Sequence, residues 1–537
     1  PGYGQDNGAF RLKDNFAGQY HNSTFHDFLD EAMRIDDQDT RDRANSAGDL
    51  SFENNTWGAF GSSNGTVTSL TRNGSPEEIA QLNSRGNEVA DPRLIGISRS
   101  TAGGLDPRPD LDSPLWDAPR SEVPDDGFYA VTNHRGAFGD SLWLEGWTQL
   151  DALGYLSEPG PASATDTPVT ANITTDTTWT KNRAYLLDKP IYVTNGATLT
   201  IQPGTRIYGS ENFDNATFGS LIITRGSKID AVGTSREPIV FTALDERDFG
   251  PLSLDDTSLW GGVIILGRAI LNDAGNPFLG GNVLNERLIE GFPSGGDDSL
   301  ITYGGLDDSD DSGTMRFVSI RYGGFKFDAD NEINGLTLGA VGSGTDISFI
   351  EVFNNSDDGV EFFGGTVDTS HMVMAFNEDE SFDIDQGYRG RGQFWFAIQK
   401  DGGPGGLGTG SNFGGEHDGG DSPDKTLEPF ARSKVFNATF IGAGASATNY
   451  GQDNGAFRLK ENFAGQYHNS VFHDFQDHAM RIDDQDTRAR SNTPGDLSFE
   501  YNTWGAFGSS DGSLTSLTRN GSPEEFAPVN SRGHVVA

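Results

Sequence analysis

The sequence contains one long segment twice. Residues 3–90 return as residues 450–537 without a gap, and 71 of the 88 aligned positions are identical. Corresponding positions lie 447 residues apart. Supersecondary repeats recur every 20 to 50 residues or so, and a period this long therefore indicates that a whole domain is reused. The repeat predicts a tandem array or a head-to-tail assembly, and we expect a homo-oligomer or homopolymer.

The charge of the chain limits its partners. Asp and Glu number 79 against 38 Lys and Arg, which gives a net charge of −41. Nucleic acids and anionic membranes bind clusters of basic residues, so both are excluded as partners. No apolar run reaches the roughly 18 residues of a spanning helix. Cysteine is absent, so no disulfide forms. A surface this acidic suits divalent cations, high salt or the exterior of a cell, and its alternative explanation is simple solubility.

The spacing of similar residues predicts the fold. From about Thr175 onward, short alternating strands separated by Gly, Asn and Asp turns replace helical periodicity. Phe353 is followed 23 residues later by Phe376, and Glu361 is followed 22 residues later by Asp383. A step of this size suits one coil of a parallel β-helix. We therefore predict an all-β, right-handed parallel β-helix with an irregular strap and one short helix.

Composition divides the chain into five segments. Residues 91–156 are rich in Pro, Asp and Arg and include an apolar i, i+3, i+4 pattern that predicts a short helix. The predicted segments are rungs from the first copy of the repeat (1–90), the strap with its helix (91–156), a linker (157–174), the main β-helix (175–449) and rungs from the second copy (450–537).

Aromatic side chains recur along the predicted rungs, and we interpret them first as stacked ladders inside the solenoid. Stacking of sugars on exposed members is the alternative. Asn354 and Asn377 predict a turn ladder in which side-chain amides join successive rungs. The aromatic residues concerned are Phe349, Phe353, Phe362, Phe363, Phe376, Phe382, Phe394, Trp395 and Phe396.

Two groups of acidic residues predict cation sites. The first is a Gly-flanked loop with four closely spaced carboxylates, which suit the oxygen-rich coordination of Ca²⁺. Its alternative is a solvated acidic loop. In the second, a 22-residue step brings Glu361 and Asp383 together, and such a pair must bind a cation or keep a proton. The predicted metal ligands are Asp307, Asp308, Asp310, Asp311, Asp357, Asp358, Glu361, Asp383 and Asp385.

The second group also suggests catalysis, because two neighbouring carboxylates can act as an acid and a base. Arg389 and Arg391 are the basic residues close to it in sequence. No further element of an active site can be identified, so we assign no catalytic residue. We expect a protein that is not an enzyme, with a polysaccharide lyase or hydrolase as the alternative.

Several segments resemble a known family. Residues 219–223, 228–242, 260–267, 311–324 and 331–339 are similar to secreted bacterial right-handed parallel β-helix proteins of mostly unassigned function. This resemblance implies export to the cell surface, in some members by type IX secretion. It supplies no catalytic residues. In that family the strap follows the rungs, whereas here it follows the first copy of the repeat.

These observations predict a secreted, extracellular or cell-surface protein with a structural or adhesive role. We expect units to assemble head to tail into a filament or surface array, with Ca²⁺ stabilising acidic turns. An extracellular polysaccharide is a further predicted partner. The alternatives are a polysaccharide-active enzyme and a carbohydrate-binding β-helix.

Overall fold

A computed structural model describes the chain as two compact units, residues 1–163 and 164–537. The described residues run from 8 to 536, except 45–48, 62–65, 73, 84, 102, 125–129, 145–146, 157–164, 213–216, 236, 273–285, 293–295, 326–332, 401–412, 421–426, 446–453, 492–495, 509–513, 520–521, 524 and 526–534.

The unit that spans residues 164–537 is a parallel β-helix, as predicted. Its strands pair in parallel with strands of the next coil and form an 18-stranded and a 9-stranded sheet among the described residues. The 18-stranded sheet contains β10 (Thr165–Pro168), β11 (Thr177–Trp179), β12 (Arg183–Leu187), β14 (Thr198–Ile201), β15 (Arg206–Gly209), β19 (Lys228–Val232), β20 (Ile239–Ala243), β24 (Gly313–Arg321), β26 (Asp346–Phe353), β28 (Asp368–Ala375), β30 (Arg391–Ile398), β32 (Lys434–Phe436), β33 (Thr439–Ile441), β35 (Gln466–His468), β36 (Val471–Phe475), β38 (Ser498–Glu500), β39 (Thr503–Phe507) and β40 (Val535–Val536).

The nine-stranded sheet carries the candidate site. Alternate side chains point inward, and the inward positions form one apolar column that includes Leu221, Val263, Leu336, Val360 and Phe382. Burial of this column supplies the hydrophobic core. The strands are β13 (Pro190–Val193), β18 (Ser220–Ile223), β21 (Val263–Leu266), β25 (Leu336–Gly339), β27 (Val360–Phe363), β29 (Phe382–Asp385), β31 (Gly415–Asp418), β34 (Phe457–Lys460) and β37 (Met480–Ile482).

Shorter elements complete this unit. The described residues of this unit include two antiparallel pairs outside the two large sheets and two short helices. Across the described chain, no helix is both long and apolar enough to cross a membrane. The pairs are β16 (Glu211–Asn212) with β17 (Thr217–Phe218) and β22 (Glu286–Leu288) with β23 (Thr302–Gly304); the helices are α4 (Leu244–Phe249) and α5 (Gln485–Arg490), with 3₁₀ turns at Asp298–Leu300 and Leu514–Leu517.

Some of the predicted aromatic ladder lies inside the solenoid. The rings of Phe382 and Trp395 are parallel, with centroids 4.4 Å apart, and Phe362 stacks on Trp395 at 5.8 Å. The prediction is wrong for Phe394, which is 45% exposed, and for Phe349, Phe353, Phe376 and Phe396, which are only partly buried. Phe394 and Phe349 have positive φ angles at a bend of their strands, which directs both rings outward beside His371. Residue spacing alone does not reveal which rung positions form such corners.

The predicted asparagine ladder is displaced by one residue. Phe353 pairs with Ala375, so Asn377 lies beside Asn355 and not beside Asn354. The amide oxygen of Asn377 accepts a hydrogen bond from the backbone N–H of Asn355 at 3.0 Å. The similarity of Phe353 to Phe376 suggested a 23-residue step, whereas the step at this corner is 22.

The unit that spans residues 1–163 begins with the first copy of the repeat. Its strand pairs reproduce those of the second copy: Phe10 lies opposite Met33 as Phe457 lies opposite Met480. Its elements are β1 (Phe10–Leu12), β2 (Gln19–His21), β3 (Thr24–Phe25), β4 (Met33–Ile35), α1 (Gln38–Ala44), β5 (Ser51–Glu53), β6 (Thr56–Trp57), a 3₁₀ turn (Val67–Leu70), α2 (Pro76–Asn83), β7 (Glu88–Val89), β8 (Leu94–Ile97), β9 (Leu105–Pro109) and α3 (Gln149–Ala152).

The strap packs on the rungs of this first copy. Arg135 is fully buried and donates hydrogen bonds to Glu88 at 2.7 Å, to Thr56 at 3.0 Å and to the carbonyl of Pro119 at 2.6 Å. The helix predicted in the strap is the single turn α3. The segment predicted as a linker includes β10, which pairs with β12.

Candidate metal centre

The outward positions of the nine-stranded sheet form a second column, and its chemistry changes along the solenoid. The first members are apolar, the next are acidic and the last are basic. In order they are Ile222, Ile264, Thr337, Glu361, Asp383, Glu416, Arg458 and Arg481. Glu361 and Asp383 are paired on adjacent strands, and this confirms the predicted 22-residue step.

Three carboxylates converge where the column becomes acidic. One oxygen each from Asp358, Glu361 and Asp383 lies within 4.8 Å of the others. Glu361 and Asp358 are buried, and Glu361 Oε2 accepts a hydrogen bond from Asn334 Nδ2 at 2.5 Å. Asp383 Oδ1 is shielded from solvent and has no hydrogen-bond partner among the described residues. The group therefore has unsatisfied acceptor capacity, which either a proton or a cation would satisfy.

Burial and mutual repulsion disfavour ionisation of these three groups. Burial raises the pKa of Glu361 well above its usual range, and Glu290, Asp383 and Asp358 raise it further. Burial is also the main cause that raises the pKa of Asp358 and that of Asp383. Carboxyls in this position either keep a proton or bind a cation.

Asp358 also belongs to a second group of carboxylates, with Asp379 and Glu380. One oxygen from each of these residues lies within 4.8 Å of the others. Glu380 is buried, and burial raises its pKa well above the usual value, with Asp379 and Glu416 adding to the effect. The backbone N–H of Glu380 donates to Asp358 Oδ1 at 2.9 Å. The turns that precede β27 and β29 therefore add further carboxylates beside the acidic column.

The basic end of the column neutralises the carboxylates closest to it. Glu416 pairs with Arg458 at 2.9 Å and with Lys460 at 2.6 Å, and Lys460 also pairs with Asp418 at 3.1 Å. Burial lowers the pKa of Lys460, but Asp418 and Glu416 outweigh burial and raise it above its ordinary value. Lys460 is therefore a poor proton acceptor while these pairs persist.

The carboxylates of the acidic loop, residues 307–311, do not converge on one point. Asp308 binds Arg389 at 2.7 Å, Asp311 binds Lys228 at 2.5 Å, and Asp307 accepts from Ser309 Oγ at 2.7 Å. Buried Asp310 accepts from Ser312 Oγ at 3.0 Å. Within the described residues, two groups of three carboxylates are close enough to share a metal ion. Both contain Asp358, and neither includes a residue of the acidic loop. A Ca²⁺ site in the loop stays a prediction.

The other predicted residues lie beside the column. Asp385 is an outward residue of β29, and its Oδ1 accepts from the Gln386 backbone N–H at 2.5 Å. Asp357 precedes Asp358 in the turn and helps to raise the pKa of that residue. Arg389, proposed as the nearby base, lies on Asp308 in the acidic loop, and Arg391 pairs with Asp368.

Sequence reasoning missed the residues that continue the column, Glu416, Arg458 and Lys460. Residues 357–363 are similar in sequence to residues 453–459, but this alignment places Glu361 beside Phe457. The strand register places Glu361 in the column of Arg458, one position further. A shift of one residue exchanges the inward and outward faces of a strand.

A scan of known families agrees with this architecture. The family described as a pectate-lyase-like β-helix domain matches residues 171–509, which is more than half of the chain. The protein belongs to this family. The pectate-lyase-like β-helix domain thus covers all three strands, β27, β29 and β31, that present the acidic column. No curated protein and no solved structure matched the chain.

Proposed function

We propose that this protein is an extracellular β-helix with a structural or adhesive role whose acidic column binds a divalent cation. The observation that carries the proposal is the convergence of Asp358, Glu361 and Asp383 on adjacent coils. All the ligand atoms are oxygens, which favours Ca²⁺ or another hard cation over a transition metal. The bound ion would join two coils and remove the repulsion between their carboxylates.

The assembly that we propose is a head-to-tail polymer of a secreted protein. Its support is the long repeat, whose two copies have the same strand pairs. A β-helix exposes unpaired strand edges at its ends, and such edges pair with another chain unless they are covered. Contacts of this kind that do not close into a ring give a fibre.

Electron microscopy of the protein with Ca²⁺ and with chelator tests this function. Filaments that loosen on chelation would support a Ca²⁺-dependent structural polymer. Isolated rods in both conditions, across a tenfold range of protein concentration, would refute the assembly. The Asp383→Asn variant separates the two parts of the proposal, because it removes a cation ligand and leaves the strand edges intact.

A polysaccharide-active enzyme is the second candidate, and the acidic column adjoining Arg458 and Lys460 is the observation that favours it. Lyases of acidic polysaccharides require a cation to bind the substrate and a basic residue to remove a proton. In this protein both bases are engaged with Glu416. Incubation with acidic and neutral polysaccharides tests this candidate: released sugars that disappear in Asp383→Asn would establish it over the structural role.

A further inference from the structure

The two copies of the repeat provide an internal comparison at one corner of the β-helix. Asn22 and its counterpart Asn469 both have φ of 54°. The next residues are held in the same way: Ser23 N–H donates to Asn55 Oδ1 and Ser470 N–H donates to Asn502 Oδ1, each at 2.8 Å. The backbone therefore presents the two asparagine side chains in the same manner.

In the first copy, Asn22 forms hydrogen bonds with backbone atoms of the strap. Its Nδ2 donates to the carbonyl of Ser121 at 3.0 Å, and its Oδ1 accepts from the N–H of Ser121 at 2.7 Å. Its own carbonyl accepts from the N–H of Gly136 at 2.7 Å. The side-chain amide of Asn22 thus bonds both backbone groups of one residue, its N–H and its carbonyl. Such an arrangement can bind an extended polypeptide regardless of its side chains.

In the second copy, Asn469 is exposed, and its side chain makes no hydrogen bond within the part of the chain that the structure describes. One ring on the same corner is also exposed. Phe436 is 40% exposed and stacks on His468 with centroids 4.9 Å apart. An unused amide therefore lies on the same corner as an exposed phenylalanine ring.

Substitutions between the copies make the same surface more apolar. Thr24 and Asn54 contact the strap in the first copy: Asn54 Nδ2 donates to Ser121 Oγ at 2.7 Å, and Thr24 packs against Gly136. Their counterparts are Val471, which is 39% exposed, and Tyr501, which is 58% exposed. The first change replaces a hydroxyl with a methyl group of the same size, and the second replaces a hydrogen-bonded amide with a larger aromatic ring.

We propose that the corner around Asn469 is a docking site for an extended polypeptide segment with apolar side chains. The amide of Asn469 binds the backbone of that segment, as Asn22 binds Ser121. Phe436, Val471 and Tyr501 receive its apolar side chains. The mode is the one that peptide-binding sheet edges use, in which main-chain hydrogen bonds give affinity and side-chain contacts give specificity.

A synthetic peptide with the sequence of residues 113–137 serves as the probe, because it contains both backbone segments that Asn22 binds. We expect saturable binding of the labelled peptide to the full chain in fluorescence anisotropy. Asn469→Ala should weaken binding by about tenfold, the cost of two hydrogen bonds. Asn437→Ala is the matched control, since Asn437 lies at the same corner one coil earlier and should leave affinity unchanged.

Hydrogen exchange locates the bound peptide. Protection of residues 466–475 on peptide addition, lost in Asn469→Ala, is the expected result. A second peptide with the substitution Ser121→Leu should bind the wild type more tightly than the strap peptide does, and Val471→Thr with Tyr501→Asn, which restores the residues of the first copy, should abolish that preference while Asn469 is kept. Absence of binding, equal binding to Asn469→Ala, or protection confined to residues 19–25 through displacement of the strap would each overturn the proposal.

Discussion

Glu361 and Asp383 are paired residues of adjacent parallel strands, and both side chains point out of the solenoid. Inward positions on the same strands carry Phe362 and Ile384, which are fully buried. Two like charges therefore stand one coil apart above a hydrophobic core, where water solvates them poorly. This relationship determines how the protein should respond to pH and to cations.

The carboxyl cluster should lower the stability of the cation-free protein at alkaline pH. Burial raises the pKa of Glu361 and that of Asp383 in the folded state, and it raises the pKa of Asp418 to about 7. Between about pH 4 and pH 7, the folded protein then binds more protons than the unfolded chain, so its stability falls as pH rises.

The variant Glu361→Gln tests this pH dependence in the presence of chelator. Its melting temperature should exceed that of the wild type at pH 8 and match it near pH 4, where Glu361 is protonated. Each pKa unit of the shift corresponds to about 1.4 kcal/mol. Glutamine keeps an acceptor for Asn334, so the hydrogen bond survives. A variant less stable than the wild type at pH 8 would contradict the argument.

Calcium should reverse the effect of pH. Ca²⁺ binds ionised carboxylates, so it should raise the melting temperature at pH 8 and raise it less at pH 5, because the raised pKa values of the cluster favour its protonated form at the lower pH. Asp383→Asn should remove most of this stabilisation. Asp311→Asn is the matched control, because Asp311 binds Lys228 in the acidic loop. Loss of stabilisation in the control alone would place the ion in the loop.

Two phenylalanines on neighbouring elements should differ in their contribution to stability. Phe382 is fully buried between Trp395 and Phe440, whereas Phe394 is 45% exposed at the outer corner. Phe382→Ala should cost about 3 to 5 kcal/mol, and Phe394→Ala less than about 1 kcal/mol. Chemical denaturation monitored by tryptophan fluorescence measures both, and equal losses would show that the inner stack is not the core.

Arg135 should fasten the strap to the first copy of the repeat. It is fully buried and joins the strap to Thr56 and Glu88. Arg135→Ala would leave several buried acceptors without a donor, at a cost of about 2 to 4 kcal/mol. Limited proteolysis should then cleave residues 91–156 faster. Arg120→Ala is the control, since Arg120 is an exposed strap residue whose hydrogen bonds among the described residues go to the nearby carbonyls of Trp116 and Ala118. Equal cleavage of both variants would refute this role.

The fold could be predicted because successive coils of a β-helix place similar residues at a short, regular interval in the sequence. The step from Glu361 to Asp383 and the alternation of apolar residues define the coil and one of its faces. The corners could not be predicted. Phe349 and Phe394 are apolar, yet positive φ angles direct their rings outward, and sequence does not reveal a bend inside a strand.

The candidate site was predicted in part. Glu361, Asp383 and Asp358 lie together as expected, because they belong to coils of nearly equal length. Arg458 and Lys460 were not predicted. The connections between their coil and that of Asp383 are longer, so the strand register cannot be derived from a constant residue step. The acidic loop shows the opposite limit. Asp308 and Asp311 are only three positions apart in the sequence, yet Arg389 and Lys228 from distant coils bind them separately.

Isothermal titration calorimetry with Ca²⁺ at pH 7.5 tests the central claim most directly. The account predicts saturable binding to the wild type, release of protons from the cluster, and loss of binding in Asp383→Asn with the fold preserved. Proton release is measured by repeating the titration in buffers of different ionisation enthalpy. Absence of binding to the wild type, or unchanged binding by Asp383→Asn, would contradict a cation site on the acidic column.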